Sequence, residues 1–177
     1  MALSPEQFEE RARGLRALVL DVDGVLTDGC IYYGNAGEEL KAFNIKDGLG
    51  IKLLQKAGIS VAIITGRNSA IVQRRAAELG IEQVIQGRED KRTALLELCQ
   101  SIGVTPMDCA YMGDDLPDLG AILIAGLGLT TADANAAVAE SADWQSNLAG
   151  GQGAVREAAE ALLKAREQLL DLQAEFR

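Results

Sequence analysis

The sequence predicts an α/β fold, a Rossmann-like parallel sheet with helices on both faces. Three observations carry that prediction. Short runs such as "LVL" at 18–20, "VAII" at 61–64 and "CAYM" at 109–112 are apolar at every position, the pattern of strands buried on both sides. Segments of helical length and spacing separate them, so strand and helix alternate along the chain. Acids, glycines, a threonine and a lysine recur directly after the runs or at the next helix start, at the sheet end where ligands bind in such folds.

Taken in order, Ser4-Pro5-Glu6-Gln7 is an N-cap, a proline at the first helical position and a capping partner, opening a helix to about Arg13. Residues 17–21 form the first strand. "CIYYGNAGEELKAFN" places β-branched and aromatic residues around "GNAG", which predicts a β-hairpin over 30–44. A helix at 47–57 then precedes a strand at 60–65, and a helix at 68–79 precedes a short strand at 83–86. A helix at 90–102 precedes a strand at 108–112. A last strand at 126–131 and a short helix at 134–140 follow. Beyond "GGQG" (150–153), one helix is expected with Val155, Leu162, Leu163, Leu169 and Leu170 on roughly one side. With 177 residues and no internal repeat, a single domain (1–177) is expected, its core at 15–150 and its tail at 150–177 against a neighbouring subunit.

Composition narrows function by exclusion. The net charge is -9, and residues 1–150 hold 13 basic against 21 acidic residues, which argues against nucleic-acid binding and suits a body that holds a cation. Cys30, Cys99 and Cys109 are odd in number and form no C-x-x-C pair, so reduced thiols in a cytoplasm are expected. The opening "MALSPEQFEERARG" lacks the apolar core of a signal peptide, and no run reaches the ~18 apolar residues of a membrane span. Histidine is absent altogether, which removes Ser-His-Asp and Cys-His catalysis and histidine-ligated zinc.

The strand ends gather Asp21-Val-Asp23-Gly24, Thr65-Gly66-Arg67, Lys91, and Gly113-Asp114-Asp115 with Asp118. Taken singly, each is an ordinary solvated turn or helix-start residue. Converging in space, the carboxylates would repel one another unless a hard divalent cation, Mg²⁺ by its oxygen ligands, lay among them. The chemistry that suits this set is phosphoryl transfer, with one carboxylate as nucleophile, another two residues on as acid and base, and Lys91 and Thr65 on the phosphoryl oxygens. Rival motifs fail. Gly24 follows Asp23 directly, against the EF-hand pattern, and neither a G-x-x-x-x-G-K-[ST] loop nor a C-x₅-R exists.

With these residues in place, the sequence resembles the haloacid dehalogenase superfamily of aspartate-nucleophile phosphatases. Asp21–Asp28 meets its D-x-D-G-[VT]-L-T-D motif, Thr65 its second, Lys91 its third and Asp114–Asp118 its acidic fourth. The further stretches "NIKDG", "IITGRNSAIVQRR", "YMGDDLPD" and "GGQGAVREAAE" extend the resemblance to the sugar-acid phosphate phosphatases of that superfamily, from about 15 to 165. The resemblance implies Asp21 as nucleophile, Asp23 as acid/base, and Mg²⁺ held by Asp21, the Asp23 carbonyl and Asp114. It places Thr65 and Lys91 on the phosphate, and Asn44, Ile45, Lys46, Asp47, Gly48, Arg67 and Arg75 on the sugar acid. The implied substrate is the small molecule 3-deoxy-D-manno-octulosonate 8-phosphate (Kdo 8-phosphate) of lipopolysaccharide synthesis, ahead of a sialic-acid-type 9-phosphate. The tail departs from the family's frequent "GGRG", with Gln152 removing a charge.

Spacing adds an independent point. Asp47 lies 26 positions after Asp21, and 25 residues separate Thr65 from Lys91, too few in either gap for a cap domain. A capless site needs a neighbour to exclude water, and the resemblance implies a homotetramer. From another functional class, a receiver-like signalling domain also gathers acids, a threonine and a lysine around Mg²⁺. Receivers place their phospho-acceptor after the third strand and lack G-D-D-x-x-D. An inactive scaffold homologue would not need Asp21, Asp23, Lys91 and Asp114 intact.

Overall fold

The computed structural model describes residues 3–177; Met1 and Ala2 of the expected domain lie outside the described residues. In chain order the elements are α1 (Pro5–Arg13), β1 (Ala17–Leu20), β2 (Tyr32–Tyr33), β3 (Glu39–Leu40), α2 (Ile45–Lys56), β4 (Ser60–Ile64), α3 (Ala70–Leu79), β5 (Gln83–Ile85) and α4 (Lys91–Ile102). There follow β6 (Cys109–Met112), α5 (Leu119–Ile122), β7 (Leu127–Thr130), α6 (Ala136–Ser141), β8 (Trp144–Gln145), α7 (Ala154–Ala165) and α8 (Leu169–Ala174).

Among the described residues, six strands form one sheet in the order β5-β4-β1-β6-β7-β8, every neighbouring pair parallel. β1 lies between β4 and β6, so the strand order reverses there and a crevice opens at its carboxyl end, where Asp21 stands. β1 shows why the runs are continuously apolar. Leu18 and Leu20 enter the core with α1, α2, α3 and α7, while Ala17 and Val19 enter the opposite one with α4, α5 and α6. The predicted α/β class is what forms.

The hairpin β2–β3 is present as a separate antiparallel pair of two residues per strand, shorter than the expected 30–44, with Gly34 N–H donating to Glu38 O across the turn. Ser4 caps α1 in a capping box with Gln7, as its spacing predicts.

The structure departs from, or adds to, the expectation at three points. The last helix is two: Glu167 adopts a left-handed φ of 60° and Gln168 N–H reaches back to Leu163 O, so the chain turns between α7 and α8. Leu170 therefore stays 77% exposed, and Leu172 packs inward in its place. Secondly, the apolar side of α7 lies on α2 and α1 of its own chain, with Val155, Leu162 and Leu163 buried. Lastly, β8 and the short α5 carry too few residues to show a period.

Candidate active site

The crevice is a cleft of about 310 Å³ whose walls include Asp21, Asp23, Thr65, Arg67, Lys91 and Asp114. Each comes from a different place in the sequence and arrives by the parallel register. Leu20 pairs with Ile63 on one side and Met112 on the other, so the residues that follow the three strands emerge together.

Asp21, 5% exposed, follows β1 and donates its N–H to Met112 O. Lys91, the first residue of α4, is also buried, and its Nζ lies 2.9 Å from Asp21 Oδ1 and 2.7 Å from Asp118 Oδ1. Asp118 is the hub of the site. Its Oδ1 also accepts from the Tyr111 hydroxyl at 2.8 Å, and its Oδ2 from the Asp114 and Asp115 N–H groups at 3.2 Å. Asp118 was expected at the strand ends but without this role, and Tyr111 was not expected at the site. The signal for Asp118 was its place one turn beyond Asp114 in "GDDLPD"; Tyr111 reads as a strand residue and gives none.

Asp114 reaches the cluster because Gly24, at φ 93°, has no side chain: a Cβ there would stand 2.1 Å from Asp114 Oδ2. One carboxylate oxygen from each of Asp21, Asp114 and Asp118 lies within 4.8 Å of the others. Burial, and then the Asp118 charge, push the Asp21 carboxyl up to about 7 against the pull of Lys91. Burial followed by Asp21 and Asp118 raises Asp114 to about 7 as well. Burial alone would lower the Lys91 ammonium, but the two carboxylates beside it leave it raised. Asp114 Oδ1 is buried with no hydrogen-bond partner, whereas both Asp118 oxygens are committed. Asp21 and Asp114 thus offer the hard oxygens that suit a small divalent cation.

Asp23 and Thr65 line the same cleft. The Asp23 carboxylate pairs with Lys41, which leaves the hairpin with its side chain only 1% exposed; Lys41 Nζ also lies 3.7 Å from Glu39 Oε1. Arg67 sits at the rim, 3.5 Å from Glu39 Oε2. Lys41 was missed because a lone lysine in a hairpin reads as surface.

The other expected substrate residues stand elsewhere. Residues 44–48 and Arg75 do not line the cleft. Asn44 caps α2 by accepting from Lys46 N–H. Asp47 Oδ1 accepts the Arg156 N–H at 2.8 Å near the start of α7, and burial raises its carboxyl despite that bond. Ile45 and Lys46 point to solvent, while Gly48 makes room for Arg75, whose guanidinium stacks 5.8 Å over Phe43. Asp47 thus joins α2 to α7, and Arg75 joins α3 to the start of α2. "GGQG" has a structural part too: Gly151 N–H donates to Val25 O, and a Cβ at Gly150 would meet Gly24 O at 1.9 Å, so the tail lies directly on the loop that carries Asp21 and Asp23.

Residues 35–126 match the haloacid dehalogenase-like hydrolase family. The chain is 46% identical to the 3-deoxy-D-manno-octulosonate 8-phosphate phosphatase KdsC of Salmonella typhi, over 90% of this chain and 85% of that one. Its structure superposes with a TM-score of 0.96 on the 3-deoxy-D-manno-octulosonate 8-phosphate phosphatase from Moraxella catarrhalis in complex with a magnesium ion, a phosphate ion and a KDO molecule. That pair shares 44% identity and covers 97% and 99% of the two chains. The cobalt-bound deoxy-D-mannose-octulosonate 8-phosphate phosphatase from Haemophilus influenzae gives a TM-score of 0.87 at 41% identity, over 90% and 93%.

Proposed function

This chain belongs to the haloacid dehalogenase-like hydrolases, and we propose that it hydrolyses 3-deoxy-D-manno-octulosonate 8-phosphate to Kdo and inorganic phosphate. The observation that carries the reading is Asp21, buried and salt-bridged to Lys91, at the floor of a cleft also lined by Asp23, Thr65 and Asp114.

Asp21 attacks the phosphorus through a carboxylate oxygen, and the bond from phosphorus to the sugar C8 oxygen breaks. Asp23 gives the leaving alkoxide its proton, then takes one from the water that attacks the aspartyl-phosphate, which returns Asp21 to a carboxylate and releases phosphate. Lys91 and the Thr65 hydroxyl neutralise and orient the phosphoryl oxygens. Asp21, Asp114 and the Asp23 carbonyl would hold Mg²⁺; the Asp23 carboxylate is taken by Lys41. Bound there, Mg²⁺ supplies positive charge facing the phosphoryl group. At the rim, Arg67 is the residue for the substrate's carboxylate.

The reading includes a place in lipopolysaccharide synthesis, a cytoplasmic location and a homotetramer. Among the described residues no helix is long and apolar enough to cross a membrane. The open cleft and the exposed Tyr32, Tyr33 and Leu40 of the hairpin support a neighbour that covers them. Phosphate release from a panel of sugar-acid phosphates, with and without Mg²⁺, tests the reading. Faster hydrolysis of a sialic-acid-type 9-phosphate than of Kdo 8-phosphate would overturn it.

A further inference from the structure

Among the described residues, Lys41 is the one buried cation of the site to which the phosphatase chemistry gives no part. Three observations define its position. The side chain is 1% exposed, although the hairpin around it, at Tyr32, Tyr33 and Leu40, is open to solvent. Its ammonium pairs with Asp23 and is flanked by Glu39, whose Oε1 is buried without a hydrogen bond. Glu39 in turn reaches Arg67 at the rim. A lysine that served only solubility would not be drawn under its own hairpin, because burying an ammonium is unfavourable unless an anion meets it there. The anion that meets it most closely is the proposed acid/base.

We propose that Lys41 is a positioning residue for Asp23. The β2–β3 hairpin, short and set apart from the main sheet, carries a cation that fixes the Asp23 carboxylate in one orientation while Lys91 does the same for Asp21. The two carboxylates stand two residues apart on one loop and receive separate cations from separate elements. This inference rests on the assignment of Asp23 as acid/base. It predicts an effect on proton transfer and not on substrate affinity, because Lys41 is buried behind Asp23 and is absent from the cleft wall.

The test uses p-nitrophenyl phosphate, whose leaving group departs without a proton, so that only breakdown of the aspartyl-phosphate needs a well-placed Asp23. In Lys41→Met the first turnover should stay within about threefold of wild type. The steady rate should fall roughly ten- to a hundredfold, the scale of a displaced proton-transfer group, leaving a burst of product. An equal fall in burst and steady rate, or a raised KM at unchanged kcat, overturns the proposal. Lys41→Met in an Asp23→Asn background guards against misfolding, since no charge of the pair is then left alone. There the added substitution should change the steady rate by less than about twofold, and a further tenfold loss would show that Lys41 acts independently of Asp23. Wild-type protein that releases phosphate from neither this ester nor Kdo 8-phosphate would refute the phosphatase reading itself, a result distinct from either outcome for Lys41.

Discussion

Lys91 Nζ stands 2.9 Å from Asp21 Oδ1, so the first residue of α4 meets the first residue after β1 inside a buried crevice. The contact joins two segments that share no local structure. Asp21→Asn keeps the shape while removing the proposed nucleophile. Turnover should fall by on the order of 10³-fold or more with the far-ultraviolet circular dichroism unchanged. Phosphate release within tenfold of wild type would exclude a covalent role for Asp21.

Removing the other partner should act on the fold as well. Lys91→Met leaves Asp21 and Asp118 facing each other without the cation between them. Breaking a buried pair from one side costs about 3–5 kcal/mol, which urea denaturation in the absence of metal would read as a lowered midpoint. An unchanged midpoint would mean that solvent already screens the pair.

Metal binding should appear in stability with a defined dependence on pH. Asp21 and Asp114 are raised to about 7 from ordinary carboxylate values. Between about pH 4 and pH 7 the folded, metal-free chain therefore holds more protons than the unfolded one, and these groups lower its stability as pH rises through that window. Mg²⁺ competes with those protons, so its stabilisation, about 2.7 kcal/mol at a hundred times Kd, should be larger above that window than near its acid end. Thermal melts with Mg²⁺ and with EDTA at both ends of the window check this. Asp114→Asn should lose most of the Mg²⁺ effect, and Asp23→Asn should keep it.

Arg67 should separate substrate recognition from chemistry. It lies at the rim of the cleft and its nearest acid, Glu39, is 3.5 Å away, so its guanidinium is available to a second anion. Arg67→Ala should raise KM for a sugar-acid phosphate by roughly ten- to a hundredfold, the worth of one charge-assisted hydrogen bond, and hardly affect a small phosphate ester. Parallel losses on both substrates would reassign Arg67 to bracing the hairpin.

The tail should prove inseparable from the loop that carries Asp21 and Asp23. A Cβ at Gly150 would stand 1.9 Å from Gly24 O and 2.9 Å from Thr27 O, and backbone cannot move aside as a side chain would. Gly150→Ala should lower stability by about 1–3 kcal/mol and reduce kcat together with it, as the loop bearing Asp21 and Asp23 shifts. Full activity in this variant would show that the tail only rests on the loop.

The parallel sense of the sheet, five of its six strands and the polar residues beyond their carboxyl ends can be read from the amino-acid order. Each depends on a short-range signal: apolar runs without alternation, strand–helix alternation, and polar residues immediately after a run. Asp21, Asp23, Thr65, Lys91 and Asp114 were therefore legible before any contact was known. Which charges face each other follows from the packing of distant segments. Asp118 became the hub, and Lys41 came to lie under its hairpin, because strands 1, 4 and 6 and the hairpin converge in three dimensions. Asp47 and Arg75 turned to the joints between α2, α3 and α7 for the same reason. The break at Glu167 depends on a left-handed backbone at a residue with no intrinsic preference for it, and no periodicity in the chain announces that turn.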